Sequence, residues 1–427
     1  MGKIVVLGQS PAAIKTIETL RASGRQDPVF LISSDSAWPY LRGMFPDFLA
    51  GDLTEKQLFS SSSGDLARLG IETVLNQKVT RINLKRKKIF FEDRESLDFE
   101  NLVIADTEAT KLPPVKGANK TGVFGCRLFK EIQDIVKAVP FIEAAAVPSG
   151  TFWGLKLSLA ILKRKKEAMW IIPEDRIFPD WLPAEISAAF LDALERQGLR
   201  VISGTAISEV LGDSDAKAVR LKTGKVIAAE MVIFPDAGPD FRLFADTELA
   251  VNGQVTVDEQ GRTNMSGIFA VDQAGCVGTS WGTGCDNSRD LLEGQGGNLA
   301  LSISGQATQP EKTVPFVSLQ AEGISLGLIG RVADGTAQIF EDKSGDVFRR
   351  IWVEGNRVVG CVLVNAAAEQ KAWQEIIENG TGLSGLDPAF FKIAREAEMP
   401  AGHPEVPTEP ALPASADDLG PATAGEG

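Results

Sequence analysis

The sequence predicts an α/β fold made of two strand–turn–helix–strand units and a smaller region of mixed strand and helix. Two observations carry this prediction. The stretch KIVVL at residues 3–7 is followed by a small-residue turn, a helical segment and a second apolar strand, and the same order returns about 140 residues later. In addition, 427 residues are too many for one compact core, so we expect two or three domains.

The first unit reads VVLGQSPAA at its turn, which has the position of a dinucleotide-binding loop. Such loops use three glycines: the first permits the tight turn, the second lets backbone N–H groups approach a pyrophosphate, and the third lets helix and strand pack closely. The three slots hold Gly8, Ser10 and Ala13 here. Alanine is tolerated at the third slot, and the Ser10 hydroxyl could donate to a phosphate.

The segment after this turn strengthens the interpretation. We expect a helix over Ile14–Arg21 that ends at Gly24, and then a strand over Val29–Ile32. Asp35 follows 22 residues after Ala13, near the position at which an acidic residue holds a ribose hydroxyl in such sites. The first unit therefore predicts a nucleotide site, and the alternative is an intact turn without a ligand.

The second unit, EAAAVPSGTFWGLKLSLAILKRKKEAMWII, begins near residue 144 and has a poorer loop. Its glycine slots hold Ser149, Thr151 and Gly154, and β-branching at Thr151 opposes the close approach of a pyrophosphate. The acidic residue expected after its second strand is Glu174 or Asp175. The pattern indicates descent from a nucleotide-binding unit more strongly than it indicates a nucleotide site.

The remaining pattern completes the two units and adds a third region. Strand signals dominate residues 71–105, and turn residues dominate 275–297. The other expected elements are helices over Ala184–Gln197 and residues 366–378, and strands over Arg200–Ile202, Ala218–Leu221, Val226–Phe234, Phe348–Val353 and Val358–Val364. The last two strands flank the turn Glu354-Gly355-Asn356, and with the final helix they predict a small α+β domain.

Composition excludes several classes of function. The net charge is −13, and seven of the acids lie in residues 396–427 without a Lys or Arg, which argues against nucleic-acid binding as the main task. The same stretch is rich in Pro, Ala and Gly and is expected to be disordered. No apolar run reaches the roughly 18 residues that a membrane helix needs, and the start does not resemble a signal peptide. We expect a cytoplasmic protein without membrane contact.

The scarcity of histidine and the spacing of the cysteines limit the kinds of catalytic and metal sites that the sequence can form. His403 is the single histidine of the sequence, which excludes most His-dependent catalysis and His-ligated metals. The cysteines do not form a C-x-x-C pair, so no redox disulfide, zinc or iron–sulfur site is indicated, and we expect reduced structural thiols at Cys126, Cys276, Cys285 and Cys361. The sequence predicts no metal site.

The two units and the C-terminal region together resemble a known family. It is the two-dinucleotide-fold flavoprotein reductases, in the branch that contains NAD(P)H–rubredoxin reductases, NADH oxidases and the flavin portion of NADH-dependent nitrite reductases. A Pro-Tyr-x-Arg that contacts the flavin in that family is matched by Pro39, Tyr40 and Arg42, and its helix beginning Gln-Gly is matched by QGGNLALSISG at 295–305. The segment VFRRIWVEGNRVVGCVLVN resembles the C-terminal hairpin of the family. Some members also use the Gly-x-Ser-x-Ala-Ala loop found at residues 8–13.

This resemblance implies two Rossmann-like three-layer dinucleotide-binding domains, the second inserted in the first, and a small C-terminal α+β domain. It implies these boundaries: an FAD-binding-type domain at 1–112 and 241–310, an NAD(P)-binding-type domain at 113–240, the α+β domain at 311–385 and an acidic tail at 386–427.

The sequence also departs from the family pattern. An Ala-Thr-Gly turn of the family reads Ala105-Asp106-Thr107, which places an anion where a glycine turn passes. The late flavin motif Phe-Ala-x-Gly-Asp reads FAVDQ. Without a gap, Asp272 takes the glycine slot and Gln273 the slot of the aspartate that holds the ribityl chain; with a one-residue deletion, Asp272 keeps that role.

The candidate site residues follow from the motifs and the resemblance. The FAD-binding candidates are Gly8, Ser10, Pro11, Ala12, Ala13, Asp35, Arg42, Asp272, Gln273, Gln295 and Gly296. The weaker nicotinamide-site candidates are Ser149, Thr151, Gly154, Lys156 and Glu174. The competing interpretations are a surface ion pair for Arg42 and helix packing for Gly154 and Lys156. No catalytic residue is assigned.

Two functions remain open at this stage. The first is an FAD-dependent oxidoreductase, or a flavin subunit, that passes electrons between NAD(P)H and a protein carrier. Its partner would be an iron–sulfur electron carrier or a subunit of a redox complex, and homo-oligomers stay open. The second is a cofactor-poor pseudo-enzyme that acts as a scaffold in a redox complex. The absence of a cysteine near Arg42–Pro46 argues against direct thiol chemistry in either case.

Overall fold

A computed structural model describes residues 2–35, 37–106, 110–235, 241–252, 254–258, 260–275, 289–308, 314–330 and 337–382. Its first elements are strand β1 (Ile4–Leu7), helix α1 (Pro11–Ala22) and strand β2 (Val29–Ser33), so the first predicted unit is confirmed. Both strands are buried on both faces, which is the pattern of central strands in a parallel sheet.

The strand-rich segment that follows contributes to two sheets. Its helices are α2 (Phe45–Ala50), α3 (Glu55–Leu58) and α4 (Ser63–Arg68), and its strands are β3 (Glu72–Leu75), β4 (Val79–Asn83), β5 (Lys88–Phe91), β6 (Ser96–Asp98) and β7 (Asn101–Ile104). Strands β4, β5 and β6 form an antiparallel sheet of their own. It packs on one face of the main sheet, whereas α1 packs on the other.

The second domain repeats this layered design. Its helices are α5 (Phe129–Ala138), α6 (Phe152–Lys163) and α7 (Ala184–Arg196), and its strands are β8 (Val123–Gly125), β9 (Ala144–Pro148), β10 (Glu167–Ile171), β11 (Arg200–Ile202), β12 (Ile207–Leu211), β13 (Ala218–Leu221), β14 (Val226–Ala228) and β15 (Met231–Phe234). A parallel sheet with the order β11-β10-β9-β15-β8 lies between the helices and the small antiparallel sheet of β12, β13 and β14.

The predicted single strand over Val226–Phe234 is wrong. The structure divides it into β14, which pairs with β13 in the antiparallel sheet, and β15, which pairs with β8 and β9 in the parallel sheet. The chain changes partners between the two, because the Ala229 N–H donates to Lys217 and the Glu230 N–H donates to Ala144. One apolar run therefore serves two sheets.

The chain then returns to the first sheet. Its next elements are β16 (Val251–Asn252), β17 (Gln254–Val255), β18 (Ile268–Ala270) and α8 (Arg289–Ile303). Strand β18 pairs in parallel with β7, which gives the order β18-β7-β1-β2-β3. This pairing confirms that the second domain is inserted in the first.

The expectation of turns throughout 275–297 is wrong from Arg289 onward, because α8 begins there. Gln295 and Gly296 consequently lie inside the helix and not at its start. The glycines that suggest a turn are tolerated because α8 packs closely on α1, where a side chain at Gly296 would meet the carbonyl oxygen of Ala12. Packing against another helix outweighs local propensity here.

The C-terminal domain is a five-stranded antiparallel sheet with one helix on it. Its elements are β19 (Phe316–Ala321), β20 (Ile324–Gly330), β21 (Gln338–Ser344), β22 (Val347–Glu354), β23 (Arg357–Val364) and α9 (Gln370–Glu378). The turn between β22 and β23 uses Gly355 and Asn356, both with positive φ, as a two-residue hairpin turn requires. The predicted α+β character is confirmed, and the expected tail at 386–427 lies outside the described residues.

Candidate cofactor-binding site

A pocket opens where the carboxyl ends of β1, β2, β7 and β18 meet the start of α1. It is open to solvent, and the empty space of the pocket together with the adjoining solvent is about 400 Å³. Its wall consists of Gln9, Ser10, Pro11, Tyr40, Leu41, Arg42, Gly43, Asp106, Asp272 and Leu292. Ligands of parallel α/β sheets bind at this edge, outside the carboxyl ends of the strands. The structure thus brings together four predicted residues: Ser10, Pro11, Arg42 and Asp272.

The turn between β1 and α1 is shaped for close backbone contact. Gly8 has a φ of +97°, and a Cβ at this position would lie 2.6 Å from the backbone nitrogen of Asp106. Glycine is therefore required both by conformation and by space. Ser10 caps α1, because its Oγ accepts a hydrogen bond from the Ala13 N–H at 3.3 Å. An accepting hydroxyl keeps its own proton, so this cap is compatible with donation to a phosphate.

Gln9 is a buried amide without a hydrogen-bond partner among the residues that the structure describes. Its side chain lines the pocket and the residue is only 6% exposed. Within the part of the chain that the structure describes, neither its Oε1 nor its Nε2 makes a hydrogen bond. Leaving a buried polar group unsatisfied costs about 1–3 kcal/mol. A ligand with polar edges would recover this free energy.

Tyr40 and Arg42 form the opposite wall. The Tyr40 ring stacks on Phe45 at a centroid distance of 5.6 Å, and its hydroxyl accepts a hydrogen bond from the Phe129 N–H at 3.1 Å. Burial raises the pKa of Tyr40, so the phenol stays protonated at neutral pH. The Arg42 side chain is 12% exposed and bonds to Asp106. The competing interpretation of Arg42 as an exposed surface ion pair does not fit this burial.

Asp106 is held between two arginines. Its Oδ2 accepts from Arg42 Nη2 at 2.8 Å, and its Oδ1 pairs with Arg127 Nη2. Arg127 follows β8 and is almost fully buried. Burial, and next the charge of Arg42, lower the pKa of Arg127 to about 9, which leaves it protonated at neutral pH. Asp106, which departs from the glycine turn of the family, is therefore held by ion pairs with two arginines. Thr107 lies outside the described residues.

Asp272 lines the pocket at the end of β18 and is 6% exposed. Its φ is +58°, in the left-handed region that glycine adopts most easily. This conformation favours the ungapped alternative, in which Asp272 stands at the glycine slot of the family motif. The placement of the Gln273 side chain lies outside the described residues.

Several predicted residues lie beside the pocket and not in its wall. Ala12 and Ala13 are fully buried in α1, and Gly296 permits the close contact between α8 and α1. The Thr16 hydroxyl ties the same contact by donating to the carbonyl oxygens of Ala12 at 2.8 Å and Gly296 at 3.1 Å. These residues support the wall by packing. Gln295 lies on α8 one residue before this contact.

Asp35 is engaged in backbone contacts. Its Oδ1 accepts from the Ala37 N–H and its Oδ2 accepts from the Phe129 N–H, both at 3.1 Å. Phe129 is the first residue of α5, so the carboxylate lies at the positive end of that helix. The predicted contact of Asp35 with a ribose stays a prediction.

The hydroxyl groups of the second loop make hydrogen bonds within the loop and to the start of α6. Thr151 caps α6 by accepting from the Gly154 N–H at 3.3 Å, and the Oγ atoms of Ser149 and Thr151 are 2.8 Å apart. A side chain at Gly154 would collide with Ser149, so this glycine serves the predicted close packing of helix on strand. The Lys156 ammonium lies 5.8 Å from the centre of the Phe152 ring.

Of the two acids proposed for the second unit, Glu174 lies at the loop. A Cβ at Gly150 would be 2.5 Å from Glu174 Oε2, whereas Asp175 faces Gly204. Glu174 is exposed to solvent. The nearby Arg176 guanidinium points away from the loop, because it donates to the carbonyl oxygens of Leu182 and Pro179. Glu174 is thus an exposed acid beside the loop.

The described residues contain no group of His, Cys, Asp and Glu side chains that could hold a metal. Cys126 and Cys361 are buried free thiols, and burial raises the pKa of both, as expected for structural cysteines. Cys276, Cys285 and His403 lie outside the described residues. Among the described helices, none is long and apolar enough to cross a membrane.

Sequence reasoning missed Gln9 and Arg127. Gln9 occupies a variable position of the loop motif, so its residue type carries no signal there. Arg127 lies 21 residues from Asp106 and belongs to the other domain, and no local pattern announces such a pair. The unusual Asp106 in a glycine turn was the available signal, because a buried anion requires a cation.

The fold and the pocket define a class of two-domain dinucleotide-binding proteins, and comparison with known proteins agrees. The family model described as pyridine nucleotide-disulphide oxidoreductase matches residues 2–276, which is more than half of the chain. The protein belongs to this family. Membership confirms the resemblance drawn from the sequence and the oxidoreductase class.

The individual relatives share about a quarter of their residues with this chain. Nitrite reductase [NAD(P)H] of Bacillus subtilis (strain 168) is 23% identical over 400 residues, which are 90% of this chain and 48% of that protein. The ferredoxin–NAD(+) reductase component of the p-cumate 2,3-dioxygenase system of Pseudomonas putida is 26% identical over 373 residues, with 86% of this chain and 90% of that protein covered. This chain thus spans about half of the first relative and most of the second.

A solved structure shows the same fold. The covalent putidaredoxin reductase–putidaredoxin complex superposes with a TM-score of 0.78 at 20% identity, and the match covers 91% of this chain and 95% of that chain. The two-domain α/β architecture with a C-terminal domain is thereby confirmed. The family description names a pyridine nucleotide, and the Pseudomonas putida relative is named as acting with NAD(+).

Proposed function

We propose that this protein is an FAD-dependent oxidoreductase that passes electrons between NAD(P)H and a protein electron carrier. The observation that carries the proposal is the pocket at the start of α1. Its wall combines the capped N-terminus of that helix, the Arg42 guanidinium and the Gln9 amide, which has no hydrogen-bond partner among the described residues. Such an amide requires a polar ligand, and a helix N-terminus favours an anionic one. FAD combines both properties.

The residues present fit this cofactor. The Gly8 turn permits close approach of a diphosphate, and the first turn of α1 contains no acid that would repel it. The Gln9 amide would bond to heteroatoms of the ligand, and Arg42 would lie beside it. Bound FAD would supply hydride acceptance and single-electron release, chemistry that the side chains lack.

The pyridine nucleotide belongs at the second loop in this proposal. The start of α6 would face its diphosphate, and Glu174 would accept a hydrogen bond from a ribose hydroxyl. An acid at this position favours NADH over NADPH, because a 2′-phosphate would meet a negative charge.

The partner in this proposal is an iron–sulfur carrier protein. The Pseudomonas putida component is named for ferredoxin and the solved complex contains putidaredoxin, which supports a partner of that kind. Cytoplasmic location is part of the same proposal, and the free thiols of Cys126 and Cys361 support a reducing compartment. Cell fractionation would test the location.

The first experiment is a visible absorption spectrum of the purified chain after saturation with FAD and gel filtration. The proposal expects flavin bands that bleach when NADH is added without oxygen. Bands that persist would replace it with a flavin subunit that another protein reduces. A chain that retains no flavin would overturn it in favour of the scaffold function.

A substitution locates the flavin. Ser10→Trp would place an indole in the pocket wall, so we expect bound FAD to be lost while the far-ultraviolet circular dichroism stays unchanged. The control is Ser23→Trp at the exposed end of the same helix, which should retain FAD. Equal flavin content in both variants would contradict the site.

A further inference from the structure

Three charged side chains meet at the pocket wall, and a fourth lines the same pocket. Arg42 and Asp106 belong to the first domain, Asp272 follows β18 in the returning segment, and Arg127 belongs to the inserted domain. Asp106 pairs with both arginines through its two carboxylate oxygens. The charge of Asp272 also acts on Arg127. Glu131 acts on the pKa of Arg127 in the same sense as Asp272, and its carboxylate accepts a hydrogen bond from the Arg127 N–H at 2.8 Å.

These side chains are shielded from water. The exposed fraction of the side chain is 3% for Arg127, 11% for Asp106 and 12% for Arg42. At such burial, a charge acts on its surroundings far more strongly than at the surface, since little water screens it. Removal of one charged member would therefore change the net charge at the pocket by one unit, with little water to screen the effect.

Asp106 occupies the central position. It lines the pocket beside Arg42 and Asp272, whereas Arg127 is not part of the lining. One carboxylate oxygen orients Arg42, a predicted FAD contact, and the other holds Arg127 of the inserted domain. The family pattern has a glycine turn here, so this carboxylate is a property of this chain and not of the loop motif.

We propose that Asp106 is the positioning and charge-setting residue of the flavin site, fixing Arg42 and cancelling excess positive charge so that it sets the relative affinity for oxidised and reduced FAD. The proposal rests on the proposed function. Reduced flavin carries more negative charge than oxidised flavin, so positive charge at the pocket favours the reduced form. With Asp106 in place, one of the two positive charges of Arg42 and Arg127 is offset, and that preference is weakened.

A charge cycle tests the proposal. Asp106→Asn leaves the pocket one unit more positive, Arg127→Met leaves it one unit more negative, and the double variant restores the net charge of the wild type. The measurement is the midpoint potential of bound FAD by dye equilibration, which gives the ratio of affinities for the two forms. We expect Asp106→Asn to favour reduced FAD by about tenfold, or ~30 mV for a two-electron couple.

Arg127→Met should shift the ratio by a similar factor in the opposite direction, and the double variant should lie within about threefold of the wild type. The double variant also removes the buried uncompensated charge that could unfold Asp106→Asn. Asp27→Asn is the control, because Asp27 is similarly buried but pairs with Arg25 outside the pocket lining.

The outcomes separate the two proposals. A wild-type chain that binds no FAD overturns the proposed function and this inference with it. Bound FAD whose potential is the same in the wild type, Asp106→Asn and the double variant overturns this inference alone. A double variant that keeps the full shift of Asp106→Asn also overturns it, because charge would then not be the cause.

Discussion

At the scale of single residues, Gln9 is the clearest sign of a ligand. Replacement by leucine removes two unsatisfied buried polar groups, so we expect Gln9→Leu to raise the free energy of unfolding without FAD by about 1–2 kcal/mol. The same change should weaken FAD binding by about tenfold. Opposite effects on stability and affinity are typical of residues kept for function.

Urea unfolding and FAD titration by fluorescence quenching measure the two quantities. Gln338→Leu, at an exposed position of β21, serves as the control and should change neither quantity much. Unchanged FAD affinity in Gln9→Leu would sink the assignment of Gln9 to the ligand.

In the proposed function, Glu174 sets the preference between NADH and NADPH. Its exposed carboxylate lies at Gly150, so we expect Glu174→Gln to raise kcat/KM for NADPH relative to NADH by about tenfold. Steady-state reduction of an artificial acceptor with each nucleotide measures this ratio. Asp175→Gln is the control, since Asp175 faces Gly204 instead. A larger change in the control would move the ribose contact to Asp175.

At the same scale, sequence and structure agree where the chemistry is local. The turn at Gly8 could be predicted because a turn depends on adjacent residues. The capping of α1 by Ser10 was not predicted, and its contact with a phosphate stays a prediction. Arg127 could not be predicted, since its partner lies in the other domain. Asp35 was predicted from spacing alone, and spacing does not show that its carboxylate also reaches the start of α5.

At the scale of elements, the contact between α1 and α8 depends on one glycine. A Cβ at Gly296 would collide with the Ala12 carbonyl oxygen, so we expect Gly296→Ala to lower the free energy of unfolding by about 1–3 kcal/mol despite the higher helix propensity of alanine. Gly297→Ala is the matched control, because the nearest atom, Thr19 Oγ1, is 3.9 Å away.

The control should be neutral or stabilising by up to about 1 kcal/mol. Urea unfolding of both variants decides the matter. Similar stability in the two would mean that the helices are not in this close contact.

The C-terminal domain contains an element-level pH dependence. Glu369 accepts from Arg349 Nε at 2.7 Å and from Trp373 Nε1 at 3.3 Å, and the Arg349 contact is the main cause that lowers its pKa below the ordinary value of 4.5. A lowered carboxyl pKa stabilises the fold above the unfolded-state pKa, and this stabilisation is lost as the pH falls through the folded-state value.

We therefore expect Glu369→Gln to lower the free energy of unfolding by about 1.5–3 kcal/mol at pH 7 and by much less near pH 3. Denaturant unfolding at both pH values measures the difference. Glu378→Gln at the exposed end of α9 is the control. A cost independent of pH would show that the ion pair is not its source.

Element boundaries show what a linear pattern can predict. The β9–α6–β10 unit was predicted because its periodicity is contained in one stretch of chain. The change of sheet between β14 and β15 was not, since a run of apolar residues does not state which strands it pairs with. The start of α8 was not predicted either. Its glycines suit a turn, and its packing on α1 cannot be inferred from the local sequence.

At the scale of the whole molecule, one core cluster joins the domains. Phe45 of α2 is fully buried in a cluster that also contains Trp170 of the inserted domain and Trp352 of the C-terminal sheet. We expect Phe45→Ala to cost about 3–5 kcal/mol and to lower the unfolding temperature reported by tryptophan fluorescence in a single transition.

Phe141→Ala is the matched control, because Phe141 is 86% exposed and should contribute within about 0.5 kcal/mol. Separate transitions in Phe45→Ala, with the tryptophan signal of the inserted domain unshifted, would show that the domains unfold independently.

The insertion of one domain in the other determines the order in which the two domains can fold during translation. The inserted domain is a continuous stretch and can fold as soon as it leaves the ribosome, whereas the first sheet waits for β18, about 160 residues after β7. At roughly 5–20 residues per second, that wait is on the order of 10–30 s. The wall that includes Asp272 and Leu292 is the last part of the pocket to be made. In the nascent chain, the edge of β7 that pairs with β18 therefore stays unpaired after the inserted domain can already fold. The pocket is complete only after Leu292 has been translated.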